Sequence, residues 1–223
     1  MTQRKRWLVG VAAFALALYA LLWLGFERQW SWVDGVDGFL LDRLHAYGIA
    51  HPGWVTFWDV FCTVLGPTVF RLVALVVIVV ALARRNLRVA LFLVISVELG
   101  GLITEAAKAA AHRPRPGEAL VSASSSSFPS GHALGVMVGV LAFLTLVLPV
   151  VRRPLGVWLI VVGTLVVVAI GAGRVVLNVH HPSDVLAGWA MGYLWFVVCL
   201  LLVPPAAPIT APDETPATPG NPR

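Results

Sequence analysis

The sequence carries little charge. Asp, Glu, Lys and Arg together make up only 12% of its 223 residues, whereas 59% of the residues are hydrophobic and the mean hydropathy is +0.87. Soluble domains carry about 25% charged residues, and a chain this apolar would expose large hydrophobic patches to water. The lipid bilayer is therefore the natural solvent for this chain.

Cysteine and clustered acidic residues are scarce too. The two cysteines, Cys62 and Cys199, have no CxxC spacing, so neither a zinc site nor a redox motif is indicated. Cys199 is predicted to lie roughly 20 Å deeper in the membrane than Cys62, too far for a disulfide, so we expect two packing thiols. No group of Asp and Glu residues has metal-ligand spacing, and we predict neither a metal nor a cofactor.

Six apolar segments have about the 17–25 residues that cross the hydrocarbon as a helix. They are Trp7–Phe26, Pro67–Ala83, Val89–Ala107, Ala133–Val151, Leu155–Ala172 and Val185–Val203. The second segment is short unless it begins nearer Phe61. The sequence therefore predicts an all-α integral membrane bundle of six transmembrane helices over residues 1–203, with a disordered, Pro-rich cytoplasmic tail over 204–223. A signal peptide is the alternative for the first segment, but its long apolar run without a cleavage site favours an uncleaved anchor.

Lys and Arg residues that flank the segments predict the orientation of the chain, because cytoplasmic loops are enriched in both. Basic clusters lie at residues 4–6, 84–88 and 152–153. With six spans, these clusters and both termini fall on the cytoplasmic face of the cell membrane. The extracytoplasmic face then receives loops 27–66, 108–132 and 173–184.

The first outer loop, 27–66, is rich in aromatic residues. Four apolar residues in it recur at helical spacing, namely Phe39, Leu40, Leu44 and Tyr47. This spacing predicts a helix that lies on the outer leaflet. We favour an aromatic belt that anchors the fold, with direct substrate contact as the alternative. His45 and His51 in the same loop are interpreted as structural or interfacial residues.

Three groups of chemically active residues fall in the outer loops. The first group follows the third apolar segment and contains Lys108, His112, Arg113 and Arg115. The prolines beside them stop the helix and stiffen its exit from the membrane. Taken alone, this group is typical of a basic interfacial flank.

The second group, Phe128–His132, opens the fourth apolar segment. Ser130 is suited to cap the helix, and Gly131 lets another group approach the backbone closely. The N-terminus of a helix offers unpaired N–H groups and a positive dipole end, which suit a phosphate. The preceding run, Ser122–Ser127, is predicted to be a flexible linker.

The third group lies between the fifth and sixth segments and contains Arg174, His180 and Asp184. Pro182 fits the first turn of the last helix, so that Asp184 would lie in that turn, within reach of His180. A carboxylate on one imidazole nitrogen fixes the tautomer and makes the other nitrogen a better nucleophile. Together the three groups supply cations, histidines, a carboxylate and a helix start, which are the groups that phosphoryl transfer requires.

The order and spacing of these residues resemble a known signature. In chain order they are Lys108 and, after six residues, Arg115-Pro116; then Pro129-Ser130-Gly131-His132; then Arg174, five residues, His180, three residues and Asp184. This resembles the tripartite signature of the type-2 phosphatidic acid phosphatase superfamily of membrane lipid phosphatases, and the six apolar segments extend the resemblance over most of the chain. That family usually has Ser where this chain has Gly173, which removes a possible hydrogen bond to phosphate.

The resemblance implies a role for each residue. His180 would attack phosphorus and form a phosphohistidine, Asp184 would orient His180, and His132 would protonate the leaving oxygen and then activate water. The phosphoryl oxygens would be held by side chains or backbone N–H groups of Lys108, Arg115, Ser130, Gly131 and Arg174.

The predicted substrate is a lipid phosphate or diphosphate. Polyprenyl diphosphate and phosphatidate-like lipids are the main candidates, and an outward-facing site slightly favours polyprenyl (undecaprenyl) diphosphate because a carrier lipid is recycled there. One alternative is a lipid phosphotransferase that uses the same phosphohistidine, and another is a non-catalytic protein that binds or transports anionic lipids. The expected partners are the lipid and the bilayer, without nucleic acid, and the sequence does not specify an oligomeric state.

Further predictions concern charged residues and histidines outside the motifs. Arg71 and Glu98 lie at similar depth on neighbouring predicted helices and are expected to form an ion pair, because an unpaired charge in the membrane is costly. Glu105, one turn before Lys108, is expected to orient that lysine. Two interpretations, contact with the site or headgroup and plain solvation, have equal weight for His112, Arg113 and His181.

Overall fold

Backbone N–H and C=O groups must be hydrogen-bonded within the chain inside a bilayer, so long apolar runs fold as helices. The computed structural model describes residues 3–205, and within this range every regular element is a helix. The all-α prediction is therefore confirmed. The predicted tail, 204–223, lies outside the described residues except for Pro204 and Pro205.

Helices α1 to α9 follow one another along the chain, and one π-helical segment joins α5 to α6. Their bounds are α1 Gln3–Glu27, α2 Ser31–Ala50, α3 Pro52–Val64, α4 Pro67–Ala83, α5 Leu87–Leu93, the π-helical segment Val94–Glu98, α6 Gly100–Ala111, α7 Gly131–Val147, α8 Arg153–Val176 and α9 Pro182–Leu202.

Five helical stretches are long and apolar enough to cross a membrane. They are Lys5–Glu27, Pro52–Ala83, Leu87–Ala111, Arg153–Val176 and Pro182–Leu202. The remaining long apolar helix, α7, has 17 residues and ends before the predicted Val151, because residues 148–150 form a turn around Pro149. By length and apolarity the described chain thus supports five spans, one fewer than the sequence predicts.

Residues 27–66 differ from the single outer loop that the sequence predicts. They fold into α2 and α3, and α3 continues after a short break at residues 65–66 into α4. The break precedes Pro67, which fits the first turn of a helix and therefore does not end the apolar stretch. One face of α2 packs against α8 and α9, whereas Phe39 and Tyr47 are exposed.

Close packing of α7 on α9 positions the candidate site. A Cβ atom at Gly188 of α9 would lie 2.6 Å from the backbone oxygen of Ser130, and one at Gly192 would lie 2.8 Å from that of Leu134. Small residues allow helices to approach in this way in membrane bundles. The start of α7 therefore lies beside the start of α9, where the Ser130 N–H donates to the Asp184 carbonyl oxygen at 2.9 Å.

The structure contains both predicted contacts between charged residues, and both cysteines are free thiols as predicted. Arg71 Nε lies 3.2 Å from Glu98 Oε2, which confirms the ion pair. Lys108 Nζ lies 4.0 Å from an oxygen of Glu105, one turn earlier in α6. Both thiols, at Cys62 and Cys199, are buried and free, as expected for packing residues.

Candidate active site

Three chain segments meet where α6 ends and α9 and α7 begin. His112 follows α6 in a left-handed conformation, with φ at 50°, and turns the chain out of the helix. Asn178 follows α8, also left-handed with φ at 54°, and starts the turn that leads to His180. Asn and His adopt this conformation more readily than most residues. The three sequence motifs are thereby brought to one end of the helix bundle.

His180 lies between α8 and α9 and is only 2% exposed. Its Nε2 atom is 3.3 Å from Nη1 of Arg115, and its Nδ1 atom is 3.5 Å from Oδ2 of Asp184. Burial lowers the pKa of His180 to about 4, and the nearby Asp184 carboxylate offsets only part of this effect. The imidazole is therefore neutral at neutral pH, with a lone pair on one nitrogen.

Asp184 is fully buried in the first turn of α9. Its Oδ2 accepts from the backbone N–H of His181 at 2.8 Å and lies 3.1 Å from the His181 ring. Its Oδ1 accepts from Nη1 of Arg113 at 2.7 Å. The predicted approach to His180 is present, but at 3.5 Å it is longer than a good hydrogen bond.

Three cations, Lys108, Arg115 and Arg174, lie near the imidazoles of His180 and His132. Lys108 donates from Nζ to the Ser125 hydroxyl at 2.9 Å, and Arg115 donates to the backbone oxygens of Ser125 and Val179 at 3.0 and 2.6 Å. Arg174 is 7% exposed, and its Nε has no hydrogen-bond partner within residues 3–205. A buried guanidinium donor without a partner is costly, so a bound anion would satisfy it.

The start of α7 faces these cations. The Ser130 hydroxyl caps the helix by accepting from the Ala133 N–H at 3.5 Å. A Cβ atom at Gly131 would lie 3.9 Å from Lys108 Nζ, so this ammonium group lies beside the first turn. The Ser130 N–H is engaged by the Asp184 carbonyl oxygen, which differs from its expected role as a donor to phosphate.

His132 follows in the first turn of α7 and is half-buried. It lies within electrostatic range of His180 and of the three cations, Lys108, Arg115 and Arg174. The structure therefore brings every predicted site residue to one place, and their chemical roles stay predictions.

The serine run, predicted to be a flexible linker, is tied to the first motif. The hydroxyl of Ser126 donates to the carbonyl oxygen of Arg113 at 3.2 Å, and that of Ser127 donates to Pro114 at 2.9 Å. The Ser127 N–H also donates to Arg113, at 2.9 Å. Proline has no backbone N–H to donate, and the chain beside these prolines forms no helix that could pair its carbonyl oxygens. The serine hydroxyls therefore supply the hydrogen bonds to those oxygens.

Sequence reasoning missed Asp37 and gave Arg113 no definite role. Asp37 is 2% exposed and Arg113 is 5% exposed. Arg113 donates from Nη2 to Asp37 at 2.9 Å and from Nη1 to Asp184 at 2.7 Å. A signal was present, because Val33, Asp37 and Leu41 recur four residues apart and place the aspartate on the buried stripe of α2.

The remaining histidines lie outside this cluster. His112 is exposed. His45 Nδ1 lies 2.8 Å from Glu118 Oε2, and His51 stacks on Tyr47 with 4.0 Å between ring centroids. These contacts fit the structural or interfacial roles expected for His45 and His51.

Gly173, where the chain departs from the signature, has no room for a side chain. A Cβ atom there would lie 2.6 Å from Cys62 Sγ and 2.7 Å from Cε3 of Trp58. The space that a serine side chain needs is therefore filled by two residues of α3.

Comparison with known proteins places these motifs in a family. The model of a family described as the PAP2 superfamily matches residues 89–207, more than half of the chain. The matched range contains all three motifs, which confirms the resemblance based on them. Helices α1 to α4, and with them Asp37 and Cys62, lie before this range.

Two curated relatives align with parts of the chain. Phosphatidylglycerophosphatase B of Bacillus subtilis strain 168 is 37% identical over 99 residues, which are 43% of this chain and 48% of that protein. An undecaprenyl-diphosphatase of Sulfolobus acidocaldarius is 38% identical over 66 residues, which are 30% of this chain and 28% of that protein. The chain thus spans about half or less of the length of these relatives.

One solved structure shares the fold. It is described as the first transmembrane PAP2 type phosphatidylglycerolphosphate phosphatase, from Bacillus subtilis, and matches with a TM-score of 0.68 and 23% identity. The match covers 87% of this chain and 94% of that chain. With the apolar spans, this likeness identifies a multi-pass, all-helical membrane protein.

Proposed function

This chain belongs to the PAP2 superfamily, and we propose that it is an integral membrane enzyme that hydrolyses the terminal phosphate from a lipid phosphate or diphosphate. The observation that carries the proposal is a buried, neutral imidazole, His180, with a carboxylate near one nitrogen and the Arg115 guanidinium beside the other. The Nε of Arg174, which has no partner within residues 3–205, adds a donor that an anionic group would satisfy.

The proposed reaction has two steps. In the first, the lone pair of His180 Nε2 attacks phosphorus, and the N–P bond forms as the bond between phosphorus and the lipid oxygen breaks. His132 donates a proton to that leaving oxygen. In the second, His132 takes a proton from water, the water oxygen attacks phosphorus, and the N–P bond breaks. Inorganic phosphate leaves and His180 returns to its neutral form.

Charge on the surrounding residues supports both steps. Lys108, Arg115 and Arg174 would neutralise the phosphoryl oxygens, and Asp184 would stabilise the positive charge that His180 carries while phosphorus is bound to it. Loss of one such donor typically costs about 2.7–4 kcal/mol of transition-state stabilisation. Each step is supplied by residues of the chain, so we propose a reaction without a metal.

A cavity beside the site suits the rest of a lipid. It has a volume of about 180 Å³ and leads from Lys108 and Gly131 between α4, α6 and α7 to Arg71. A cavity of this size holds a linking group and not whole lipid chains, which would stay in the bilayer. The names of the relatives support phosphatidylglycerol phosphate and undecaprenyl diphosphate as substrates to test, together with phosphatidate.

The proposed orientation has six spans, with α7 as the fourth. A helix of 17 residues is about 25 Å long, close to the lower limit for a span. Six spans, with the basic clusters in the cytoplasm, would put both termini in the cytoplasm and the site on the extracytoplasmic face of the cell membrane.

Phosphate release by the purified protein tests the proposal. We expect release from at least one of phosphatidate, phosphatidylglycerol phosphate and undecaprenyl diphosphate, without an alcohol acceptor and without loss of rate in a chelator. His180→Ala should lower kcat to well under about a tenth of the wild-type value, because it removes the nucleophile. Retention of a tenth of the rate contradicts the role of His180, and a strict need for an acceptor favours a phosphotransferase.

A further inference from the structure

Asp37 lies on α2, before the range matched by the PAP2 superfamily, yet it reaches the candidate site. We propose that Asp37 is a positioning residue for the reaction, which holds Arg113 so that Arg113 fixes the orientation and charge of Asp184. The inference rests on the proposed phosphatase function, because it concerns the carboxylate that supports His180.

Asp37 is held by three hydrogen bonds in a site almost closed to solvent. Nη2 of Arg113 donates to Oδ2 at 2.9 Å, and the backbone N–H of Ser183 donates to Oδ1 at 2.9 Å. The Ser183 hydroxyl donates to Oδ2 at 2.5 Å. Both oxygens are used, so the carboxylate cannot turn without losing a buried hydrogen bond.

Arg113 connects Asp37 to the site. Its Nη1 donates to Asp184 Oδ1 and to the Ser183 hydroxyl, each at 2.7 Å, while its Nη2 faces Asp37. The guanidinium carbon lies 4.9 Å from the centroid of the Phe26 ring, which supports one face of the group. A guanidinium is planar and rigid, so it serves both carboxylates in a single orientation.

The negative charge of Asp37 affects how strongly Arg113 neutralises Asp184. One guanidinium faces two buried carboxylates, so Asp184 is not fully neutralised and can stabilise positive charge on His180. Without the charge of Asp37, Arg113 would pair with Asp184 alone and weaken that support. The positive charge on His180 develops only after substrate has bound, so the loss should lower kcat and leave KM unchanged.

Asp37 also has a structural contact that must be separated from this role. It accepts from the Ser183 N–H in the first turn of α9, one of the N–H groups that a helix start leaves unpaired. Asn at position 37 keeps an oxygen for this N–H but presents an NH₂ group in place of the oxygen that accepts from Arg113. Asp37→Asn therefore keeps the helix contact and removes the link to the site.

The experiment measures kcat and KM in detergent micelles on whichever of the three lipids the wild-type protein hydrolyses fastest. The variants are Asp37→Asn, Arg113→Met, both together, and Asp42→Asn as the matched control, since Asp42 is exposed on the same helix. We expect Asp37→Asn to lower kcat by about 10-fold to 100-fold. KM should stay within about twofold, and Asp42→Asn should behave as wild type.

The double variant shows whether Asp37 acts through Arg113. If it does, Asp37→Asn costs little further kcat once Arg113 is Met. Effects that add in full overturn the inference, and so does an Asp37→Asn variant with wild-type kcat. A wild-type protein that releases no phosphate from any of the three lipids overturns both proposals, whereas an active wild type with an equally active Asp37→Asn overturns this inference alone.

A second variant decides the matter if Asp37→Asn does not fold, as judged by thermal unfolding in detergent. Arg113→Lys keeps the positive charge, but one ammonium group cannot bridge two carboxylates as a guanidinium does. A kcat lowered by about 10-fold at unchanged KM supports the inference. A wild-type kcat in Arg113→Lys overturns it.

Discussion

Gly173→Ser would give the chain the residue that the family signature usually has, and we predict that it destabilises this protein. A Cβ atom at position 173 would lie 2.6 Å from Cys62 Sγ and 2.7 Å from Trp58 Cε3. Non-bonded heavy atoms pack favourably at about 3.5–4.0 Å, so each of these contacts is too short by about 1 Å. Serine therefore fits only if both neighbours move.

Neither neighbour of Gly173 can move freely. Cys62 is fully buried, and its thiol donates to the backbone oxygen of Ile170 at 3.9 Å. Trp58 makes edge contacts with neighbouring rings, including Trp54 and Phe61. Overpacking of a buried site costs about 1–3 kcal/mol, and two simultaneous clashes place Gly173→Ser in the upper part of this range.

Thermal unfolding in detergent, with activity measured in parallel, tests this prediction. Gly35→Ser is the matched control, since a Cβ atom at Gly35, in helix α2, would meet open space within the described part of the chain. Gly173→Ser should unfold at lower temperature than wild type and lose activity, because Arg174 is the next residue. Cys62→Ala with Gly173→Ser should lose less stability than the two single losses combined, because Ala lacks the sulfur. A Gly173→Ser protein as stable as Gly35→Ser would refute the reasoning.

Three further predictions concern the pH dependence of the reaction, the Arg71–Glu98 ion pair and the orientation of the chain in the membrane. Under the proposed mechanism, the acid limb of kcat/KM should have a midpoint near pH 4, because protonation of His180 below its pKa of about 4 would remove the lone pair proposed to attack phosphorus. A midpoint near about 6.5 would contradict this. Arg71→Met should lower the free energy of unfolding by about 2–3 kcal/mol, because it leaves the Glu98 carboxylate unpaired, and adding Glu98→Gln should recover most of the loss. An unfolding temperature of Arg71→Met equal to that of wild type would contradict a stabilising pair. An impermeant maleimide should label Glu118→Cys in intact cells and leave Arg85→Cys unlabelled, and the reverse pattern would put the site on the cytoplasmic face.

Local signals predicted the residues of the candidate site. Helix starts are marked in the sequence by a capping residue and a proline, and Ser130 and Pro182 occupy these positions in α7 and α9. His180 and Asp184 then fall four residues apart across the start of α9, where side chains can meet. Such relations span a few residues, so the spacing within each motif is enough to find them.

Helix bounds were harder to predict, because a proline can either begin a helix or end an apolar segment. Pro67 fits the first turn of α4, and the preceding α3 is apolar enough for Pro52–Ala83 to form one spanning stretch. The serine run was likewise judged by composition, which is typical of a linker. Its contacts depend on Arg113 and Pro114, whose carbonyl oxygens become available only after the chain has left α6.

The link between Asp37 and Ser183 lay beyond local reasoning, because 146 residues separate them in the sequence. Their contact depends on how α2 packs against α9, and no pattern within either helix specifies that geometry. The buried stripe of α2 nevertheless contains an aspartate where an apolar residue would be expected, and a buried carboxylate needs a partner. The basic residue without a definite role, Arg113, is that partner. The sequence therefore contains a signal for the pairing of Asp37 with Arg113, although none for the contact of Asp37 with Ser183.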